Sequence, residues 1–399
     1  MADNIAARYY VRLKDQSGEQ VALFDNWLSL EYTKTINDLY GYTLKFVDDG
    51  DARFDLFEID GQIEVYRSIP GTLDWYLEFE GFHRGVRREI SSGGVETFIS
   101  DGVGYNDFLA RTIIAYKAGS VRADKNGAAE SAMKEYVSEN CTGIGDQTVV
   151  GRLNYDSDDA VFLYNAALPG LSIDTDTGAG ITWSGSRAYE NLLDVLKDIA
   201  TLASIDFLIE GTGPATFIFK TFIDQIGSDR TEDGLDASTG LNGAGNVPVT
   251  FSVAIGNVQN IQYELDRLTE ANAIVVTGKG DVSTRDTETR RNTTAIAVSP
   301  WNRREISRSA PTQDFDFQLQ DFGDEVLEEA GAKESFTFLP LQQPKSLYGV
   351  HYFFGDKVTV VYGSIKRNRR ITGIGVRVAG NRDTLALTLD DVITTSEEE

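Results

Sequence analysis

Two histidines, a few carboxylate clusters and one dense basic run are the residues whose types and spacing could do chemistry. His83 and His351 sit in alternating aromatic stretches, FEGFHRG and VHYFFGD. A neutral histidine beside a serine can act as a general base. Neither comes with a G-x-S-x-G nucleophile elbow, and the zinc-peptidase motif H-E-x-x-H is absent, so both read as structural or surface residues. YDSDDA clusters Asp156, Asp158 and Asp159 without the rest of a calcium loop and reads as a solvated turn, and a catalytic carboxylate pair for glycoside hydrolysis cannot be picked out from the sequence. IDTDTGAG alternates Asp174 and Asp176 as a calcium loop does. Its fifth and sixth positions are then Gly178 and Ala179, and Gly185 stands where a bidentate glutamate is needed, so it reads as a solvated turn. The glycines of GTGPAT and GKGDVS lack the strand, glycine turn and helix order that cradles phosphate. No cofactor and no metal are expected.

The basic run is Lys366, Arg367, Arg369 and Arg370, in YGSIKRNRRITG. It is either a phosphate contact or the way a sheet turns a corner, and its surroundings favour the corner. Val358, Val360 and Tyr362 alternate before it. Ile371, Ile374, Val376 and Val378 follow, punctuated by Gly373 and Gly375, which predict a bulge. Leu385, Leu387 and Leu389 then share a face. KRNRR is expected at a hairpin tip, solvated or protecting a sheet edge, and Gly355-Asp356 as the turn into the strand.

These strands belong to an acidic chain of 399 residues, with 62 acids against 37 bases and a net charge of −25. That balance argues against a sequence-reading DNA-binder, which needs a basic face. A hydrophobic fraction of 41% describes a globular chain. The apolar runs are too short to span a bilayer, and MADNIAARYYVRLKD has no basic and apolar regions of a secretory signal. Cys141 is the single cysteine, so no intrachain disulfide forms and the chain suits a reducing compartment.

Strand patterns dominate 1–112. In 113–248, two helices are predicted. One covers 126–140 with Asn126 as cap, and the other carries Leu192, Val195, Leu196 and Ile199 with Ser186 as cap. A strand pair, IDFLIE and ATFIFKTFI, follows, and 229–248 reads as a loop. The chain returns to β at 249–283, is mixed with a short acidic helix at 284–339, and is β again over 340–399. The fold class is therefore mainly β with α+β parts, in several domains.

The order of these phrases resembles the tail-tip hub family of tailed phages. FFGDKVTVVY, RRITGIGVRV and DTLALTLDD look like that family's closing barrel, which enters with G-D-x-V-T-V. NLLDVLKDIATLASIDF is similar to its second-domain helix and strand. WLSLEYTKTINDLYGYTLKF and NVQNIQYELDRLTEANAIVVTGKGD match its opening strands. Residues 229–248 and 284–320 depart from the pattern. The family also resembles contractile-phage baseplate hubs and the first part of type VI secretion spike proteins.

The resemblance implies two related small β-barrels, 1–112 and 249–283 with 340–399, an α+β domain at 113–248, and an inserted small domain at 284–339. It implies a non-enzymatic homotrimer at the virion tail tip, assembled in the host cytoplasm. Its pseudo-six-fold ring would join tail-tube or distal tail proteins above to spike or fibre proteins below, and DNA would pass through without specific binding. Three copies, at −25 each, would carry −75, and a negative lumen would repel phosphate. Lys366, Arg367, Arg369 and Arg370 would then be a subunit-interface hairpin. A tail-associated wall hydrolase using Asp156, Asp158 or Asp159, and a host-surface binding protein, are the alternatives.

Overall fold

In the computed structural model, the structure describes residues 7–48, 50–114, 122–142, 168–280, 285–310, 316–380 and 382–390. Strands dominate, as the alternation predicts, and helices are few. The largest unit is a twelve-stranded sheet drawn from both ends of the chain. Its path runs Asp229–Arg230, Lys357–Tyr362, Ile365–Ala379, Ser29–Thr35, Gly41–Val47, Glu96–Gly104, Trp75–Ile90, Gln62–Ser68, Tyr9–Lys14 and Gln20–Phe24. Thr250–Ser252 and Arg382–Leu389 pair off that path.

Strands from both segments assigned to barrels thus join one sheet, while Val258–Asp266 and Ala273–Thr277 of the second segment lie outside it, and the sheet's pairing does not close on itself among the described residues. The cause is the long strand Ile365–Ala379. Its first half pairs with Lys357–Tyr362 and its second half with Ser29–Thr35 and Arg382–Leu389. The register shifts between Ile371 and Gly373, where the glycines predict a bulge, and a bulge bends and twists its strand. Period-two burial fixes the faces. Leu385, Leu387 and Leu389 are buried while Thr384, Ala386 and Thr388 are exposed. A one-residue slip would expose all three leucines, each worth about 1.5–3 kcal/mol of burial.

A second core lies under the helices. Leu192–Ala203 buries Leu192, Leu193, Val195, Leu196, Ile199 and Ala200 against the strands Ile205–Gly213, Thr216–Ile223 and Leu171–Ile173. Its cap is Asn191, whose side chain accepts from Leu193 N at 3.0 Å, and it ends at Ser204 in the left-handed region. Ser186 is not the cap. It lies in the strand Thr182–Arg187, paired with Ala123–Ala128. The same pairing draws Asn126 into a strand, so the neighbouring helix starts later, at Ala129–Val137. Cys141 is buried beside Thr112 in the turn Ser138–Thr142.

The third unit is small. Ala273–Thr277 pairs antiparallel with Thr287–Arg291 and parallel with Glu305–Ser309. The acidic helix Asp316–Glu329 covers it through Leu319, Phe322 and Val326 on Ile274 and Val276. Between the units runs Val258–Asp266, paired with Lys333–Pro340.

Gly355 opens the strand Lys357–Tyr362 with φ 89°, and a Cβ there would lie 2.2 Å from the Ile226 carbonyl oxygen. Gly355→Ala should cost about 2 kcal/mol or more, read as a lower urea midpoint at unchanged slope. Wild-type stability would show that the backbone there relaxes freely.

Candidate functional site

The basic run does not tip the hairpin. The turn is Gly363-Ser364, flanked by the pair Tyr362↔Ile365, and Lys366 to Arg370 lie in the ladder opposite Val361 to Lys357. Side chains therefore alternate across the sheet. Lys366 is exposed and pairs with Glu232 at 2.7 Å. Arg367 and Arg369 point to the other side and converge on one carboxylate. Arg367 Nε donates to Glu334 Oε2 at 2.9 Å, Arg369 Nη2 donates to the same oxygen, and Tyr263 donates to Oε1 at 2.7 Å. Arg369 is 1% exposed and Glu334 2%. Burial pushes the Glu334 carboxyl up, but the hydrogen bonds from Tyr263 and Arg367 and the charge of Arg369 outweigh it and hold it below the usual range. Arg370 reaches the other way, to buried Asp206, which also accepts from Ile226 N at 2.6 Å and from Asn37 Nδ2 at 3.2 Å.

Two further polar junctions join distant segments. Arg67, almost fully buried, donates to Tyr9 Oη at 2.8 Å and the Tyr348 carbonyl at 2.7 Å, and pairs with Asp383 at 3.3 Å. Tyr348 in turn donates to Glu78 at 2.6 Å. Asp356 pairs with Arg230 at 2.7 Å and accepts from Ser228 N and Phe353 N. On the outward face of the large sheet a shallow groove is floored by Gly41, Gly102, Gly375 and Ala386 and rimmed by polar side chains. Along it Arg377 pairs with Glu31, Thr43 donates to Asp101, and Arg87 donates to Asp101. The charged side chains of this face thus pair with one another.

The histidines fall elsewhere. His83 is buried under Phe57, with Nδ1 2.8 Å from Ser100 Oγ and 3.3 Å from the Tyr42 hydroxyl. Both Ser100 and His83 are sealed from any polymer, so the pair holds the core together. Burial pushes His83 from its ordinary 6.5 down to about 4. His351 Nδ1 accepts from Leu347 N at 3.1 Å. The IDTDTGAG turn wraps a carboxylate the sequence did not single out. Thr177 N and Ala179 N donate to Glu130, which Lys134 pairs at 2.7 Å. Asp156, Asp158 and Asp159 lie outside the described residues. Among the described residues, no group of three or more His, Cys, Asp or Glu is placed to hold a metal, and no helix is long and apolar enough to cross a membrane.

Glu334, Asp206, Arg67 and Asp383 were also missed. A signal exists for two of them. Glu334 shares its period with Phe336 and Phe338, and Arg67 with Ile63 and Val65, so each is a charge on an apolar face. Such a charge must find a buried partner.

The fold is similar to those of solved prophage tail proteins. The tail protein of Neisseria meningitidis MC58 superposes with a TM-score of 0.56 at 11% identity, over 96% of this chain and 97% of that one. The 43 kDa tail protein of prophage MuSo2 from Shewanella oneidensis gives 0.56 at 9%, over 97% and 98%. Prophage tail protein gp18 from Listeria monocytogenes EGD-e gives 0.50 at 9%, over 98% and 95%. The chain belongs to the family described as Siphovirus ReqiPepy6 Gp37-like protein, which matches residues 79–389. No curated protein matches it.

Arg369→Ala should lower stability by about 3 kcal/mol, because it strips the buried Glu334 of its buried partner, whereas Arg367→Ala should cost about 1 kcal/mol. Equal effects in urea denaturation would contradict the different burial of the two arginines. For His83, the folded pKa lies below the unfolded one. Its contribution is thus complete above about 6.5 and is lost as pH falls toward about 4. Stability of the wild type should fall more steeply over that window than stability of His83→Gln; parallel pH curves would remove the histidine from the account.

Proposed function

We propose that this protein is the structural hub of a siphovirus-type tail tip, acting by assembly and not by catalysis. Three copies form a pseudo-six-fold ring that continues the tail tube, adapts six-fold to three-fold symmetry and lets DNA pass. The observation that carries this is the single sheet built from two sequence-distant β segments of one chain. Two such segments per chain supply six across a trimer. Family membership and a fold shared end to end with prophage tail proteins support it. Tail-tube or distal tail proteins lie above the ring, and spike or fibre proteins below. The ring's channel is acidic overall, in keeping with the −25 of each copy, and repels passing phosphate. Any subunit contact of the basic run falls to Lys366 and the outer edge of Arg367, since Arg369 is consumed inside its own chain.

Electron microscopy of the virion tests this directly. Three copies are expected in a ring at the tail tip. Six copies in a tube ring, or a peripheral fibre position, would overturn the hub. Turnover of isolated cell walls, abolished by replacing Asp156, Asp158 or Asp159, would establish the hydrolase instead, and saturable binding to host cells the adhesin.

A further inference from the structure

The small three-stranded unit has a core of its own, built on Ile274, Val276, Ala310 and Leu319, and is carried on the ribbon of Val258–Asp266 and Lys333–Pro340. Arg367 and Arg369 hold Glu334 and so fix the ribbon to the large sheet. Beyond that clamp two short segments, 267–272 and 330–332, lead into the unit. Its helix Asp316–Glu329 then meets the helix Leu192–Ala203 of the second core.

The two helices meet through acids. Asp316–Glu329 turns Leu319, Phe322 and Val326 onto the core of the small unit, and Glu325 and Glu329, one turn apart, fall toward the neighbouring helix. Leu192–Ala203 buries Val195, Leu196 and Ile199 in its own unit, and Asp194 and Asp198, also one turn apart, lie on its outer side. Across the contact the carboxyl of Glu325 donates a hydrogen bond to Asp198. Glu329 acts on both with like charge, and Glu190 and Asp194 add to the charge on Asp198. Arg187, at the end of the strand Thr182–Arg187, is the base that acts on the pair. It reaches Asp198 at 3.3 Å and Glu190 at 3.0 Å. Lys197 is taken up by Asp38 at 2.8 Å, and Arg290, which packs under the second helix, by Asp324 at 2.6 Å. Burial and the Asp198 charge push Glu325 from its ordinary 4.5 up to about 7, and burial pushes Asp198 up as well. Two carboxylates in one site repel when both are ionised, so the contact holds best with one proton between them.

We infer that the contact of these two helices is a proton-operated latch: a proton shared between Glu325 and Asp198 holds the small unit against the helical unit, and its loss lets the unit swing about 267–272 and 330–332. The latch belongs to the single chain and does not rest on the ring proposed above. The closed contact binds the proton more tightly than the open one, in which Glu325 returns to its ordinary value. The proton's contribution to closure is therefore complete below about 4.5 and is lost as pH rises to about 7, beyond which both states are ionised.

Pulsed electron paramagnetic resonance of the full chain tests the latch, with nitroxides on Thr182→Cys and Ser307→Cys, exposed strand positions of the two units. Cys141 is buried, out of reach of the label. Between pH 5.5 and pH 8.5 the ratio of the compact to the extended population should fall about ten-fold or more in this parent. Glu325→Gln, whose amide donates to Asp198 at every pH, should keep the compact distribution at pH 8.5, and so should Asp198→Asn. Glu328→Gln, an exposed acid of the same helix, should shift as the parent does. Near-ultraviolet circular dichroism checks the fold of each variant, and either Glu325→Gln or Asp198→Asn suffices if the other does not fold. A parent distribution that is the same at both pH values would overturn the latch. A folded Glu325→Gln or Asp198→Asn that shifts with pH as the parent does would overturn it too, as would a Glu328→Gln that no longer shifts.

Discussion

The strand Ile365–Ala379 carries the constraint on which the rest of the structure depends. It pairs with three other strands, and its two adjacent arginines reach opposite ways. Arg369 goes to Glu334, on the strand that leads out of the small unit, and Arg370 to Asp206, on the strand that follows the helix Leu192–Ala203. Successive residues of a strand face opposite sides of the sheet, so two neighbouring arginines are the shortest way to tether both sides at once. The bulge at Ile371 to Gly373 follows immediately and lets the same strand turn from one partner to the next.

Buried ion pairs are poor sources of net stability, because desolvation offsets most of the Coulomb gain. Their effect here is on uniqueness of arrangement. An apolar substitute for Glu334 would accept many neighbours, whereas a buried carboxylate accepts only a pose that brings Tyr263, Arg367 and Arg369 to it. The Arg67 junction works likewise. Its donors are divided among Tyr9, Tyr348 and Asp383, from the first and last segments, and a shift of either would leave a buried guanidinium short of acceptors. The hydrophobic cores supply the energy, and these junctions set how the segments meet.

The sequence made the elements visible where period and punctuation agree. Leu385, Leu387 and Leu389, the Gly373 bulge, the helix around Leu192 to Ile199 and the acidic helix near 320 all follow from local pattern. The errors were of two physical kinds. Ser186 and Asn126 are good capping residues by type, but each was drawn into a strand by the other's segment, a pairing that local propensity does not encode. KRNRR has the polarity of a hairpin tip, yet the turn needs only Gly363-Ser364, and the arginines are held in the ladder by acids 35 and 164 residues away. Those partners are invisible to any local window, and so is the fusion of the two β segments into one sheet.

The same internal pairing bears on how an acidic chain assembles. Arg369, Arg370, Arg67 and Lys134 are each spent against an acid of their own chain, so the bases most securely fixed contribute nothing to the outer surface. What remains outside is an excess of carboxylates, which sets the net charge that any other chain meets. Apolar area and basic groups presented together on rigid backbone are what would offset that charge at a contact with another chain. On the sheet face of Glu31, Thr43, Asp101 and Arg377 the charges are instead paired among themselves.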